Sequence, residues 1–229
     1  GCDESKITGR LGSPFFMKEP GISIKPYPSG SLSHPAQDLI LDLVKQHDLS
    51  AGEIDHVEVG TNANVPNALI YPMPKTALEG KFSIPFCMAI AILERKAGIA
   101  QFQDRKVRDK KVVELMQRVT LCVDDEHEKL GYDQVRSRIR IRLKNGRVIE
   151  GRYDVARGRP EKPMSWVELG DKFRDCAGLV LADKDAGTAI QLVGRIGKLK
   201  SLSPLFRALT NARAKIDKKT ETAGIPVKA

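Results

Sequence analysis

The feature that most restricts this chain is the run VRSRIRIRL, from Val135 to Leu143, which alternates strictly. A period of two sends successive side chains to opposite faces of a strand. Val135, Ile139, Ile141 and Leu143 then share a face that must be covered, and Arg136, Arg138, Arg140 and Arg142 share the other. Lys144-Asn145-Gly146 follows, and Val148 to Val155 returns. This pattern predicts a β-hairpin closed by a type I′ Asn-Gly turn. Glu150, Arg152 and Asp154 stand across from the arginines. Two readings of that face stay open: a solvated charged surface that discourages misassembly, or a phosphate-binding stripe.

A cover for the apolar face is available. Residues Phe86 to Leu93 are apolar on every side and include the small Cys87, Ala89 and Ala91. A helix without a polar face belongs in a core. Ser83 and Pro85 mark its start, and Lys81 just ahead is either solvated or faces a site. Leu39, Ile40, Leu43 and Val44 predict a helix from Pro35 to about His47. Ile54 to Gly60 alternates as a strand, with His56 pointing away from its apolar face. Pro66, Pro72 and Pro74 predict a loop without regular structure. Asp109 to Val119 predicts a helix and Leu121 to Val123 a short strand. Ser165 and Glu168 form a capping box that opens a helix, and further helices are expected over 183–194 and 203–215, ahead of a frayed tail. Helices around one antiparallel sheet with a prominent hairpin make the fold class α+β. The expected organisation is a connector over 1–20, the α+β domain over 21–200, and a last helix and tail over 201–229.

Composition narrows the function classes. With 41% hydrophobic and 29% charged residues the chain has the balance of a globular protein. No window reaches the roughly 18 apolar residues of a membrane span. GCDESKITGR has no signal-peptide core, and Gly1 in place of an initiator methionine fits a processed chain or a fragment. Cys2, Cys87, Cys122 and Cys176 lie far apart, with no neighbouring histidine at ligand spacing. Free thiols in a reducing cytoplasm are expected, and a metal site is not. The net charge of +9 raises a nucleic-acid reading, but only 5% of residues are aromatic, and none interleaves with the basic runs as stacking would need.

The stretch with the most chemistry is GISIKPYPSGSLSHP, from Gly21 to Pro35. Pro26 and Pro28 push Lys25 and Tyr27 toward extended backbone, Gly30 permits a bend, and Ser33 reads as a helix N-cap. A stiff loop thereby delivers an ammonium, three hydroxyls and the His34 imidazole to a helix N-terminus, a setting that favours a carboxylate. The alternative is a proline-rich connector with a solvated lysine.

Three stretches, GISIKPYPSGSLSHP, LEGKFSIPFCMAIAIL and GRPEKPMSWVELGDKF, together resemble the MmgE/PrpD family, in order and in spacing. The resemblance implies a lyase or isomerase: a dehydratase, decarboxylase or epimerase. Its shared step would be cofactor-free proton abstraction beside a carboxylate of a small di- or tricarboxylic acid. It also implies a homodimer whose subunits pair an all-helical half with a smaller α+β half around the site. Lys25 matches the family's active-site lysine, and His34 the histidine that closes the same motif. Ser29 stands at a small polar position that helps hold a carboxylate. Phe86 falls at a substrate-facing position where one relative has tyrosine, and it lacks that hydroxyl. Only the C-terminal part of the family is matched, so the chain is expected to be inactive without the helical half. A non-catalytic carboxylate-binding module and a basic nucleic-acid-binding protein remain as rivals.

Overall fold

A computed structural model describes residues 3–9, 11–13 and 15–210. The chain divides into two compact units, Gly1–Met164 and Ser165–Ala229. The first is built on a sheet of β1 (Ile54–Thr61), β2 (Val119–Val123), β3 (Ser137–Leu143) and β4 (Val148–Tyr153), in the order β2-β1-β3-β4. The α+β class holds, with one correction: β1 pairs antiparallel with β3 but parallel with β2, so the sheet is mixed. A long helical crossover separates β1 from β2, which is what a parallel neighbour requires. Alternation fixes the faces of a strand and leaves its direction open.

Register explains the core. Val57 lies opposite Ile141 and Val59 opposite Ile139, while Ile141 lies opposite Ile149 on the other side. All five are buried, on the face covered by helices α1 (His34–Gln46) and α2 (Ile84–Glu94). Every residue of α2 from Ile84 to Ile92 is buried, as its all-apolar sequence demands. The Ser83 hydroxyl accepts from the Phe86 amide and caps it. Helix α3 (Lys110–Met116) is shorter than the 109–119 expected, because Asp109 is its N-cap and β2 starts at Val119.

The opposite face carries the arginines, each matched to acids. Arg138 reaches Asp124 at 2.8 Å and Glu150 at 3.2 Å, Arg142 reaches Asp55 at 2.7 Å, and Arg152 bonds Asp154 and Glu126. Such pairing gives the strip a structural reason to be basic.

The hairpin forms, but its turn is not type I′. The Gly146 amide donates to the Leu143 carbonyl at 2.9 Å, and Gly146, with φ at 86°, is the loop's one residue with positive φ. A type I′ turn would need positive φ at Asn145 too. Lys144 to Gly146 instead form a three-residue loop in which glycine takes the left-handed position of a bulge. The proline-rich stretch also holds a surprise: Pro66 sits inside the short helix Asn64–Ala68, early enough that its missing N–H costs nothing.

In the second unit, α4 (Trp166–Ala177) opens with the expected capping box, followed by α5 (Asp183–Val193) and α6 (Ser203–Thr210). Ala189, Leu192, Leu205 and Ala208 form the contact between α5 and α6. The expected extension to Lys215, the tail and Cys2 lie outside the described residues. Among the described residues no helix is long and apolar enough to cross a membrane, and no group of three or more His, Cys, Asp or Glu side chains is placed to hold a metal.

Candidate active site

The loop ahead of α1 folds back on itself around one carbonyl. Lys25 Nζ donates to the Ser29 carbonyl oxygen at 3.4 Å, and His34 Nε2 lies 3.3 Å from the same atom. A carbonyl only accepts, so this bond puts a proton on Nε2. Lys25 and His34 are thus brought together, although Lys25 is exposed and His34 is buried. Both line a cleft of about 260 Å³, with Ser23 and Ser31 on the same side. The other side is made by Val135, just ahead of β3, and by Ala156, Arg157 and Arg159, which follow β4.

Ser33 occupies the N-cap position of α1 without capping it. Its hydroxyl donates instead to the Gly30 carbonyl at 2.7 Å, tightening the bend into a turn of 3-10 helix. The Ser29 hydroxyl is likewise turned inward, 3.0 Å from Ser33 Oγ and 2.8 Å from Gln37 Nε2. Ser29 is buried, with its hydroxyl bonded to Ser33 and Gln37 and its carbonyl to Lys25 and His34. Phe86 is fully buried in α2, edge-on to Phe102 with ring centroids 5.4 Å apart. Its burial gives it no surface for a substrate in this unit.

Beneath the cleft lies a buried polar anchor. Tyr27 Oη donates to Asp38 Oδ1 at 2.6 Å, and the Arg157 amide donates to Asp38 Oδ2 at 2.6 Å. Arg157 Nη2 donates to Tyr27 Oη at 2.9 Å and lies 3.4 Å from Asp38. Burial first, and then the Asp38 carboxylate, push the Tyr27 phenol far above its ordinary range, so it stays protonated and donates. The Tyr27 ring also packs edge-on against His34, at 5.5 Å. Tyr27 thereby supports both walls: its ring steadies the imidazole and its hydroxyl the arginine.

Tyr27, Asp38 and Arg157 were missed as site residues by the sequence reading. Asp38 was the available signal: a carboxylate beside Leu39 and Ile40 on the buried side of a helix must find a cation or donors. Its partner lies 119 residues away and no local pattern identifies it. The arrangement can bind an anion, since an ammonium and two guanidinium groups surround one small cleft.

A family model described as the MmgE/PrpD C-terminal domain matches residues 27–196. The chain is 23% identical over 201 residues to the cis-aconitate decarboxylase of Mus musculus, an alignment that covers 85% of this chain and 41% of that protein. The chain thus spans about two fifths of the length of the curated relative it matches. From the family match over most of its length, this chain belongs to the MmgE/PrpD family, whose C-terminal domain it carries.

Proposed function

We propose that this domain forms the carboxylate-binding wall of a lyase or isomerase that acts on a small di- or tricarboxylic acid. The single observation that carries the reading is the convergence of Lys25 and His34 on the Ser29 carbonyl at the edge of a cationic cleft. An ammonium beside a substrate carboxylate makes a charge-assisted hydrogen bond. The same charge offsets the negative charge that develops when a proton leaves the adjacent carbon, which lowers that barrier. His34, an imidazole close to Lys25, is the group of this wall suited to moving the proton. A helical half of the same enzyme supplies the rest of the pocket and sets which acid is used and which bond breaks. On this reading the chain binds the acid without turning it over.

Titration of the full chain with cis-aconitate, followed by amide NMR, tests this. Expected are shifts at Lys25, Ser31 and His34, and an affinity that falls about tenfold or more in Lys25→Ala, the worth of one charged hydrogen bond. Equal affinity for the parent and Lys25→Ala, or no shift at these residues, refutes the assignment.

A further inference from the structure

Resting on that reading, we infer that Arg157 is a second carboxylate-binding residue of the cleft, and that the buried Tyr27–Asp38 pair is the device that aims it. Arg157 lines the cleft with its side chain 33% exposed, while the Asp38 side chain behind it is only 4% exposed. A ligand therefore meets the guanidinium, and the carboxylate that balances it is screened from the cleft. Asp38 grips Arg157 twice, through its amide at 2.6 Å and its guanidinium at 3.4 Å, and Tyr27 Oη holds Nη2 at 2.9 Å. A guanidinium carries five N–H donors in one rigid plane, so anchoring one nitrogen orients the whole fork. The ring face adds to the grip: the guanidinium carbon lies 5.8 Å from the Tyr27 centroid. Arg159 beside it pairs with the exposed Glu161 at 3.4 Å, a pairing of little worth.

Two cationic walls follow, one from the loop at Lys25 and His34 and one from the loop at Arg157. Such a cleft prefers an acid with at least two carboxylates, because a single one reaches a single wall. Lys25 then sets affinity for any carboxylate, and Arg157 sets the preference for a polycarboxylate over a monocarboxylate.

The test measures affinity of the full chain for propane-1,2,3-tricarboxylate and for acetate by NMR titration, in the parent, Lys25→Ala, Arg157→Gln, Arg157→Lys and Tyr27→Phe. Expected in Arg157→Gln is a loss of about ten- to a hundredfold for the tricarboxylate with acetate little changed. Arg157→Lys recovers part of the preference, since it keeps the charge and loses the fork. Tyr27→Phe, which removes no group that touches ligand, lowers the preference as well. A merely structural role lowers the folded fraction and weakens both ligands alike, so the ratio of the two affinities separates the roles even where a variant is less stable. If Lys25→Ala weakens binding while the Arg157 and Tyr27 variants keep the parent's ratio, this inference is overturned and the function proposed above survives. If the parent itself binds neither acid, both fall together.

Discussion

Replacing Gly158 by alanine should dismantle the cleft at modest cost to the fold. Gly158 has φ at +86°, and a Cβ built on it would lie 2.0 Å from the carbonyl oxygen of Ile24, the residue before Lys25. The obstacle is backbone, so the two segments must part by about 1 Å to restore a van der Waals distance near 3 Å. In parting they endanger the bond from the Ile24 amide to the Gly158 carbonyl, now 2.7 Å. The left-handed conformation costs a side-chain-bearing residue about 1–2 kcal/mol, and the lost hydrogen bond about 0.5–1.5 kcal/mol. The stiffer unfolded chain returns about 0.4–1 kcal/mol. The net is a loss of roughly 0.5–3 kcal/mol, small beside a large core deletion. Binding should suffer as well, since misplacing Lys25 costs a charge-assisted hydrogen bond to the ligand, on the order of tenfold or more in affinity. Urea denaturation followed by cis-aconitate titration of the folded variant reads both quantities. A variant that unfolds within 0.5 kcal/mol of the parent (an ordinary surface effect) and binds as tightly would refute the argument.

Three further outcomes follow from the same structure. Phe86→Ala, which empties a fully buried site against Phe102, should cost about 3–5 kcal/mol in chemical denaturation; a loss below about 1 kcal/mol would mean that the ring is not core. Ser165→Ala removes the hydroxyl that accepts from the Glu168 amide at 3.2 Å and should destabilise the start of α4 by about 1 kcal/mol, read as faster amide exchange in its first turn; unchanged exchange would deny the cap. At Asp124, burial opposes ionisation but is outweighed by the His127 amide and the Arg138 guanidinium, which hold the carboxyl below its ordinary value. Its contribution to stability is then complete above the unfolded carboxylate pKa, about 4, and is lost as pH falls through the lower folded value. Asp124→Asn should flatten the acid limb of the stability–pH curve, and an unchanged limb would assign acid sensitivity elsewhere.

What was legible in the sequence was whatever a short window encodes. The alternation of Val135 to Leu143 fixed which side chains of β3 face the core, and the lack of any polar residue from Ile84 to Ile92 fixed the burial of α2. The capping box at Ser165 is a contact between residues three apart, and it forms. The Asn-Gly pair announced a turn but misnamed it, because glycine alone suffices for the left-handed position of a three-residue loop. Whatever joins distant segments stayed hidden. The direction of β2 depends on the crossover that precedes it. The site fared in the same way: Lys25 and His34 share one local loop, whereas Tyr27 and Arg157 meet across 130 residues. Ser29 stands out by its place in the loop, but the partners of its hydroxyl, Ser33 and Gln37, depend on how the loop folds back on the helix.

The strand order carries a consequence for how the chain acquires its shape. β3 and β4 are joined by a tight loop and can zip together soon after they are made. β1, in the middle of the sheet, has both partners downstream, Val119–Val123 on one side and Ser137–Leu143 on the other. During synthesis its unpaired edges wait while the intervening helices emerge, and closing so long a loop is the slow event in topologies of this kind. Substitutions at Ile139 or Ile141, where the hairpin captures β1, should therefore retard refolding, whereas comparable losses within the unit from Ser165 onward should leave that rate alone.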